Sequence, residues 1–283
     1  MSGFMVDSAM AASGAVRANL TLWQDVVDWA GAAPVAWGRY LGSGGGIATP
    51  LTTAEVSFLH GNQCAILPIY NDSPLNSGQT GTYAMGQQDA DMAMQRAEAI
   101  GVPAGVYLCC DIEYGAPLTA EYVCGWCDTM RASVYGGSGI LYGALASAAF
   151  AQPLLAALGD ANVQRLLLWA STPEPGSSTA TAMPNWAPDA PSAQTLGMVR
   201  LWQYSEGDYG GWVDLDEVDS TLLRSGLWLP ANAAPAPGLP ASVPSWAAAA
   251  VQAALRAGVI TDPVGDEDFY RMLVVLDRLG LFP

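Results

Sequence analysis

The chain has 283 residues and carries 26 acidic side chains against 10 basic ones, all of them arginine, for a net charge of −16. A charge of this sign and size disfavours binding to nucleic-acid phosphates and to anionic membrane surfaces. The chain contains no apolar run of the roughly 18 residues that a membrane-spanning helix needs. Its first ten residues, MSGFMVDSAM, lack the basic start of a signal peptide. We therefore expect a soluble protein with neither nucleic acid nor membrane as a partner.

Short apolar runs alternate with helical stretches over the first four fifths of the chain. Eight candidate strands lie at 3–7, 35–41, 64–70, 105–113, 139–143, 166–171, 198–205 and 212–218. Helices are predicted at 19–31, 52–61, 83–101, 118–132 and 145–159. This alternation predicts an α/β fold, an irregular (β/α)8 TIM-type barrel over 1–229. Residues 171–198 are rich in Pro, Ser and Thr, so we expect loops in place of the last helices.

A change of composition follows the barrel. Residues 230–244 read PANAAPAPGLPASVP and predict an extended Pro/Ala linker. Residues 245–283 predict two amphipathic helices, a small module that docks on the barrel, on a partner or on a wall polymer. The apolar positions of the second helix follow the i, i+3, i+4, i+7 rule at Phe269, Met272, Leu273, Leu276 and Leu279.

The stretch GVYLCCDIEY, residues 105–114, ends a predicted strand in two carboxylates, Asp111 and Glu113. Successive side chains of a strand point to opposite faces, so the two acids share one face about 6.6 Å apart. The other face is apolar throughout, which favours a buried parallel strand over a surface one. The carboxyl ends of such strands carry the chemistry of β/α barrels.

The same alternation applies to the first and the last predicted strands. It turns Asp7 and Asp214 to the inside of the barrel, so Asp7, Asp111, Glu113 and Asp214 converge on the carboxyl-terminal mouth. Crowded carboxylates cannot all stay ionised, and at least one should hold a proton near neutral pH. A protonated carboxylic acid beside ionised ones is what the cleavage of a glycosidic bond requires.

Aromatic residues in or beside the predicted strands could stack on sugar rings. The candidate substrate-binding residues are Tyr40, Tyr70, Trp169, Trp202, Tyr204 and Trp212. We expect no cofactor and no metal ion, although four acids could also bind a divalent cation through oxygen ligands. The five cysteines do not form a disulfide framework, and CGWC at 124–127 fits buried helix cysteines better than a redox site.

These motifs, in their order and spacing, resemble the family 25 glycoside hydrolases, which are lysozyme-like N-acetylmuramidases on an irregular β/α barrel. The motifs are an Asp closing strand one, D-x-E closing strand four, LWQY on strand seven and GWVDLD on strand eight. WGRYL, LPIYN and GQQDADMAMQRAEAIGVPAGVYL resemble more closely the actinobacterial and phage relatives, the glycoside-hydrolase-like domain family. The likeness spans roughly residues 3–222.

The resemblance implies roles for the acids. Glu113 would be the proton donor and Asp111 the assisting carboxylate, with the substrate's acetamido group as nucleophile, while Asp7 and Asp214 would orient and tune them. Residues 245–283 are similar to the short helical module of phage endolysins and to S-layer-homology-type wall-binding repeats.

Together these features predict a peptidoglycan-directed, muramidase-type glycoside hydrolase from an actinobacterium or its phage. It would act at the bacterial cell wall, as a released lysin or as a virion component. The rival hypothesis is a non-catalytic structural or wall-binding protein on the same scaffold, such as a minor tail or tail-tip subunit that contacts other phage tail subunits. Whether the chain is an enzyme is left open by the sequence. A thiol redox protein built on Cys124 and Cys127 is a more distant alternative.

Overall fold

A computed structural model describes residues 2–17 and 20–230, together with 243–244, 246–247, 250–251, 254–255, 259–260 and 263–278. The coordinates group into two compact units, Met1–Ala231 and Asn232–Pro283. The predicted linker at 230–244 lies almost wholly outside the described residues. Among the residues described, no helix has the length and apolar character that crossing a bilayer requires.

The first unit is a closed eight-stranded α/β barrel, which confirms the predicted fold class. Around the barrel the order is β1-β10-β9-β8-β7-β6-β5-β4. Seven strands run parallel, whereas β10 is antiparallel to both of its neighbours and pairs Gly3 with Val218 at the base. The barrel strands are β1 (Gly3–Ser8), β4 (Ala36–Tyr40), β5 (Ala65–Tyr70), β6 (Cys109–Asp111), β7 (Ile140–Gly143), β8 (Leu167–Ala170), β9 (Val199–Gly207) and β10 (Val213–Val218). A small hairpin outside the barrel joins β2 (Ala15–Arg17) to β3 (Leu20–Thr21).

Helices surround the barrel at the five predicted places, and four more are short or belong to the second unit. They are α1 (Leu22–Ala30), α2 (Thr53–Gly61), α3 (Tyr83–Ala99), α4 (Ala120–Arg131), α5 (Ala148–Ala157), α6 (Ala193–Leu196), α7 (Asp208–Gly211), α8 (Ser220–Ser225) and α9 (Glu267–Arg278). Only α6, four residues long, lies in the stretch predicted as loop between β8 and β9. The expected loss of the last outer helices is thus confirmed.

The start of each of the five large outer helices is set by a hydroxyl side chain. Thr21, Thr52, Thr82, Thr119 and Ser147 each accept a hydrogen bond from a backbone N–H of the first turn. Such caps satisfy donors that the helix itself leaves free. The first helix therefore begins at Leu22 and not at residue 19, because its capping residue ends strand β3.

Two apolar layers follow from the alternation along the strands. Met5, Leu67, Ile69, Cys109 and Ile140 are among the side chains that fill the barrel interior. The intervening positions face outward and pack beneath the helices. In the stretch predicted as a strand over 105–113, Val106, Leu108, Cys110 and Ile112 form this outer layer as expected. The strand itself is only Cys109–Asp111, because Gly105 adopts a positive φ and its amide donates to Val134.

The second unit is described in part. Helix α9 confirms the second predicted tail helix, and its Tyr270 and Leu273 are buried. Met272 was assigned to the apolar face, but its side chain is 54% exposed, so that part of the assignment is wrong. The buried stripe passes through Tyr270 instead, with Phe269 and Leu276 half-buried beside it. Leu279 lies outside the described residues.

Candidate active site at the barrel mouth

Four aspartates occupy the inward face of the barrel towards its carboxyl-terminal mouth. Asp7 pairs in register with Asp214, and Met5 pairs with Asp216, one layer further from the mouth. Asp111 ends β6 opposite Tyr142 of β7. Asp7, Asp111 and Asp216 are buried, whereas Asp214 is half-buried. The parallel strands bring Asp7 and Asp111 to the mouth at their carboxyl ends, and the antiparallel β10 brings Asp214 there at its amino end.

Asp7 and Asp216 form a hydrogen-bonded carboxyl pair in the barrel interior. The Trp169 indole N–H donates to Asp216 Oδ1 at 3.0 Å. Because Asp216 accepts from Trp169 and from a protonated Asp7, one proton resides on the Asp7 side of the pair. Trp169 thus stabilises the charge of Asp216 and is itself packed edge-on against the Tyr142 ring, with centroids 4.8 Å apart.

The pKa of every carboxyl at the mouth is raised, with burial as the largest cause. The pKa values of Asp7, Asp111 and Asp216 lie well above their ordinary range because the barrel excludes water, and neighbouring carboxylates raise them further. Burial also raises the pKa of Asp214 to about 6, against the opposing effect of the Gly207 amide, which donates to its Oδ1 at 2.6 Å. Crowding, which the sequence argument invoked alone, is therefore the second cause and not the first.

Asp111 lies among tyrosines. The Tyr40 hydroxyl donates a hydrogen bond to the Asp111 carboxyl and favours its charged form. The Tyr142 hydroxyl donates to Gln203 Oε1 on β9 and closes the opposite wall. Burial and the charge of Asp111 both raise the pKa of Tyr40, so this hydroxyl keeps its proton and serves as a donor.

Glu113 stands at the exposed rim, two residues beyond Asp111. Its position is fixed by Asn76, whose Nδ2 donates to the Asp111 carbonyl at 3.0 Å and whose Oδ1 accepts from the Glu113 amide at 3.1 Å. Desolvation of the carboxyl, and secondarily the charge of Glu206, raise the pKa of Glu113. Glu113 therefore combines access to solvent with a raised proton affinity.

The predicted aromatic residues divide between the inside and the outside of the barrel. Tyr40 and Trp169 face inward beside the acids. Tyr70, Trp202 and Tyr204 are instead buried in the outer layer. Their polar atoms bond to Asp89, the Pro173 carbonyl and the Ala180 carbonyl, respectively. These three do not line the mouth, because their places in the strand alternation turn them under the helices and loops.

Trp212 immediately precedes β10 and is half-buried. Its ring contacts Tyr209 edge-on at 6.0 Å, and Tyr209 packs on Trp29 at 5.1 Å. Trp212 thus supports the β9–β10 connection, which holds the backbone amide that bonds to Asp214.

The sequence argument did not assign Asp216, Tyr142, Gln203 or Asn76 to the site. For two of them a signal was present. Asp216 shares the inward alternation with Asp214, and Tyr142 shares it with Ile140. Asn76 belongs to a short 3-10 helix, Pro74–Ser77, and only the folded chain brings it beside β6.

Two other potential sites were considered in the sequence. The five cysteines are free, and burial raises the pKa of the Cys127 thiol well above its ordinary value and that of Cys124 less strongly. Neither shift favours a reactive thiolate. In the described part of the chain, no group of three or more His, Cys, Asp and Glu side chains has the arrangement of a metal site.

The sequence profile of the Rv2525c-like, glycoside hydrolase-like domain family matches residues 28–222. The chain belongs to this family. The match spans β4 to β10 and includes Asp111, Glu113, Asp214 and Asp216, while Asp7 precedes it. A comparison with proteins of curated function gives no match.

Three crystal structures are similar to this chain. An uncharacterized protein of B. stearothermophilus shares 27% identity over 78% of this chain and 97% of its own, with a TM-score of 0.67. The Tat-secreted protein Rv2525c of Mycobacterium tuberculosis, in complex with L-tartrate, shares 16% identity over 80% of this chain and 98% of its own, at a TM-score of 0.49. The modular autolysin LytC of Streptococcus pneumoniae shares 16% identity over 76% of this chain and 46% of its own, at 0.43.

Proposed function

We propose that the chain is a glycoside hydrolase that cleaves peptidoglycan glycan strands in the manner of an N-acetylmuramidase. The observation that carries the proposal is the solvent-facing Glu113, whose pKa is raised, two residues beyond the buried Asp111. A carboxylic acid that holds its proton beside a second carboxyl group is the arrangement that glycosidic cleavage uses. Membership of a glycoside-hydrolase-like family and the resemblance to the lysozyme-like muramidases support the same reaction.

In this proposal Glu113 donates its proton to the glycosidic oxygen as the bond to the anomeric carbon breaks. The acetamido oxygen of the sugar attacks that carbon, and Asp111 accepts the acetamido N–H and stabilises the positive charge of the cyclic intermediate. Water then opens the intermediate and returns a proton to Glu113, so the acid is regenerated. Asp7 and Asp216 hold one proton between them, and their place beside Asp111 and Asp214 limits the total charge of the mouth.

The test is the release of reducing ends from purified peptidoglycan. Glu113→Gln keeps the size of the side chain but has no titrating proton, so turnover should fall by roughly 10²–10⁴-fold, the usual worth of a positioned acid. Asp111→Asn should also impair turnover. Glu98→Gln, an exposed glutamate near the end of α3, is the matched control and should leave turnover unchanged.

Wild-type activity that survives Glu113→Gln would contradict the assignment of the acid. The burial of Asp7, Asp111 and Asp216 favours the second candidate, a wall-binding protein without turnover, because three of the acids contribute little surface to a polymer. Retained binding to peptidoglycan with no activity in any variant would support that candidate. We further propose action at the bacterial cell wall, as a released lysin or as a virion component that contacts other tail subunits. Mass spectrometry of purified virions distinguishes these two.

A further inference from the structure

The chain presents an exposed aromatic ring directly after the proposed acid. Tyr114 is 84% exposed, the largest exposed fraction among the exposed large apolar and aromatic side chains described. Exposing a large ring to water is unfavourable, and sugar-binding proteins use such rings to stack on the apolar face of a pyranose. Exposure alone would not distinguish a binding residue from an incidental surface tyrosine.

The backbone that carries Tyr114 is tightly held. The Ala116 amide donates to the Glu113 carbonyl at 3.1 Å, which closes a four-residue turn with Tyr114 and Gly115 at its corner. Gly115 has φ +82° at the third position, the conformation that a type II turn reserves for glycine. The turn is held to the barrel on one side by Asn76 through the Glu113 amide, and on the other by the Ile112 amide, which donates to the Tyr142 carbonyl. Tyr114 is therefore projected from a fixed support and not from a loose loop.

A small depression lies beside this turn. Glu113, Tyr114 and Gly115 form one side, and the segment from β7 into α5 forms the other. The lining is mostly apolar and is completed by Ile112, Ala116, Ala144, Ser147, Ala149 and Phe150. Its volume is about 10 Å³, which is room for a single methyl group or one water molecule. The polar groups that a water would need are few here, so the depression fits a methyl group better.

We propose that Tyr114 and this depression form a subsite for an N-acetylhexosamine, with the sugar ring stacked on Tyr114 and the acetamido methyl group in the depression. The inference rests on the proposed function, because it places the sugar next to Glu113 on the rim. Small side chains at Ala144 and Ala149 leave the room for the methyl group, and a glucose unit would leave that room empty. The subsite therefore selects N-acetylated sugars over sugars without an acetamido group.

The test measures binding and not turnover, so it separates this inference from the proposed hydrolysis. In the full chain carrying Glu113→Gln, calorimetry compares a tetramer of β-1,4-linked N-acetylglucosamine with the glucose tetramer of the same linkage. We expect the N-acetylated tetramer to bind more tightly, by roughly three- to fivefold for each buried methyl group. Tyr114→Ala should weaken both tetramers by roughly tenfold, and Tyr114→Phe should restore both.

Ala149→Leu fills the depression from the exposed side of α5 and should abolish the preference for the N-acetylated tetramer while leaving the binding of the glucose tetramer unchanged. Ala156→Leu, exposed on the same helix but outside the depression, is the matched control and should keep the preference. Equal binding of the two tetramers by the starting protein would overturn the inference, as would a preference that survives Ala149→Leu. A preference of the expected size in a protein that releases no reducing ends would leave the subsite standing and reject only the hydrolase.

Discussion

Asp214 is the one aspartate of the barrel mouth whose side chain is half-buried, and its protonation couples the site to stability. Burial raises its pKa from an ordinary 3.8 to about 6, so between these values the folded chain binds a proton that the unfolded chain has lost. Stability contributed by this group is fully present below the lower value and is lost as the pH rises through the upper one.

We therefore expect Asp214→Asn to stabilise the protein at neutral pH, because the asparagine keeps an acceptor for the Gly207 amide but has no charge to desolvate. The melting temperature should rise by a few degrees, given roughly 2–4 °C per kcal/mol in a domain of this size. In acid, below the ordinary pKa of an aspartate, the difference from wild type should vanish. Asp91→Asn, at an exposed position of α3, is the control. A stabilisation that persists unchanged into acid would show that charge is not its cause.

Asn76 positions Glu113 without touching the space above it. Asn76→Ala removes both hydrogen bonds that join the Pro74–Ser77 turn to the end of β6, so Glu113 should lose its fixed place. If the chain hydrolyses peptidoglycan, turnover should fall by roughly 10²-fold, the effect that a displacement of about 1 Å can have.

The matched control for this change is Asn162→Ala, which also breaks a side-chain hydrogen bond, to Asp128, but in the loop that precedes β8 at the base of the barrel. Similar melting temperatures for the two variants, with turnover lost only in the first, would establish a positioning role. An equal loss of turnover in both would point to general destabilisation.

Strand alternation was sufficient to place the acids inside the barrel, because it depends only on parity and holds for either strand direction. It was misapplied to the aromatics. Trp202 and Tyr204 occupy outward positions of β9, and proximity of an aromatic residue to a strand says nothing about its face. Asn76 was beyond the reach of any pattern, since its contacts with β6 span 35 and 37 residues of sequence.

At the scale of elements, helices α3 and α4 approach each other closely at two glycines. A methyl group added to Gly86 would collide with the Tyr122 carbonyl, and one added to Gly125 would collide with the Tyr83 carbonyl. Both obstacles are backbone atoms of the opposing helix, so a side chain there cannot be accommodated by a change of rotamer. The two glycines allow the backbones of the helices to meet.

We predict that Gly86→Ala lowers the free energy of unfolding by at least 1–3 kcal/mol, the approximate cost of overpacking, even though alanine favours helix by about 1 kcal/mol over glycine. Urea denaturation followed by circular dichroism measures the change. Gly159→Ala is the control, because a methyl group there meets no atom within 4 Å. Equal stability of the two variants would mean that the helices separate without cost.

Most elements of the barrel could be predicted because hydrophobic runs, capping hydroxyls and Gly or Pro boundaries all agreed. The hairpin β2–β3 was missed because its strands have three and two residues, too few for a period to be visible. The direction of β10 was also not readable. The run WVDLDEV has the same alternation in either direction, and only pairing with β1 and β9 decides the matter.

At the scale of the whole molecule, the chain divides at residue 231 into two compact units. We predict that deletion of 231–283 leaves a folded barrel, because the apolar interior and the mouth acids all belong to the first unit and the tail helix buries its own stripe. Thermal unfolding of the truncated chain should remain cooperative, with the full-length chain as reference. An insoluble product or a broad transition would show that the two units fold as one.

The antiparallel pairing of β1 with β10 has a consequence for protein engineering. Since Gly3 lies opposite Val218, the first strand begins and the last strand ends at the same end of the barrel, away from the acids. A circular permutant could therefore connect these ends by a short peptide and open the chain at another loop without moving Asp7 or Asp214 from their register. For the same reason, a reporter domain fused ahead of β1 would enter from the base and leave the mouth accessible to a polymer.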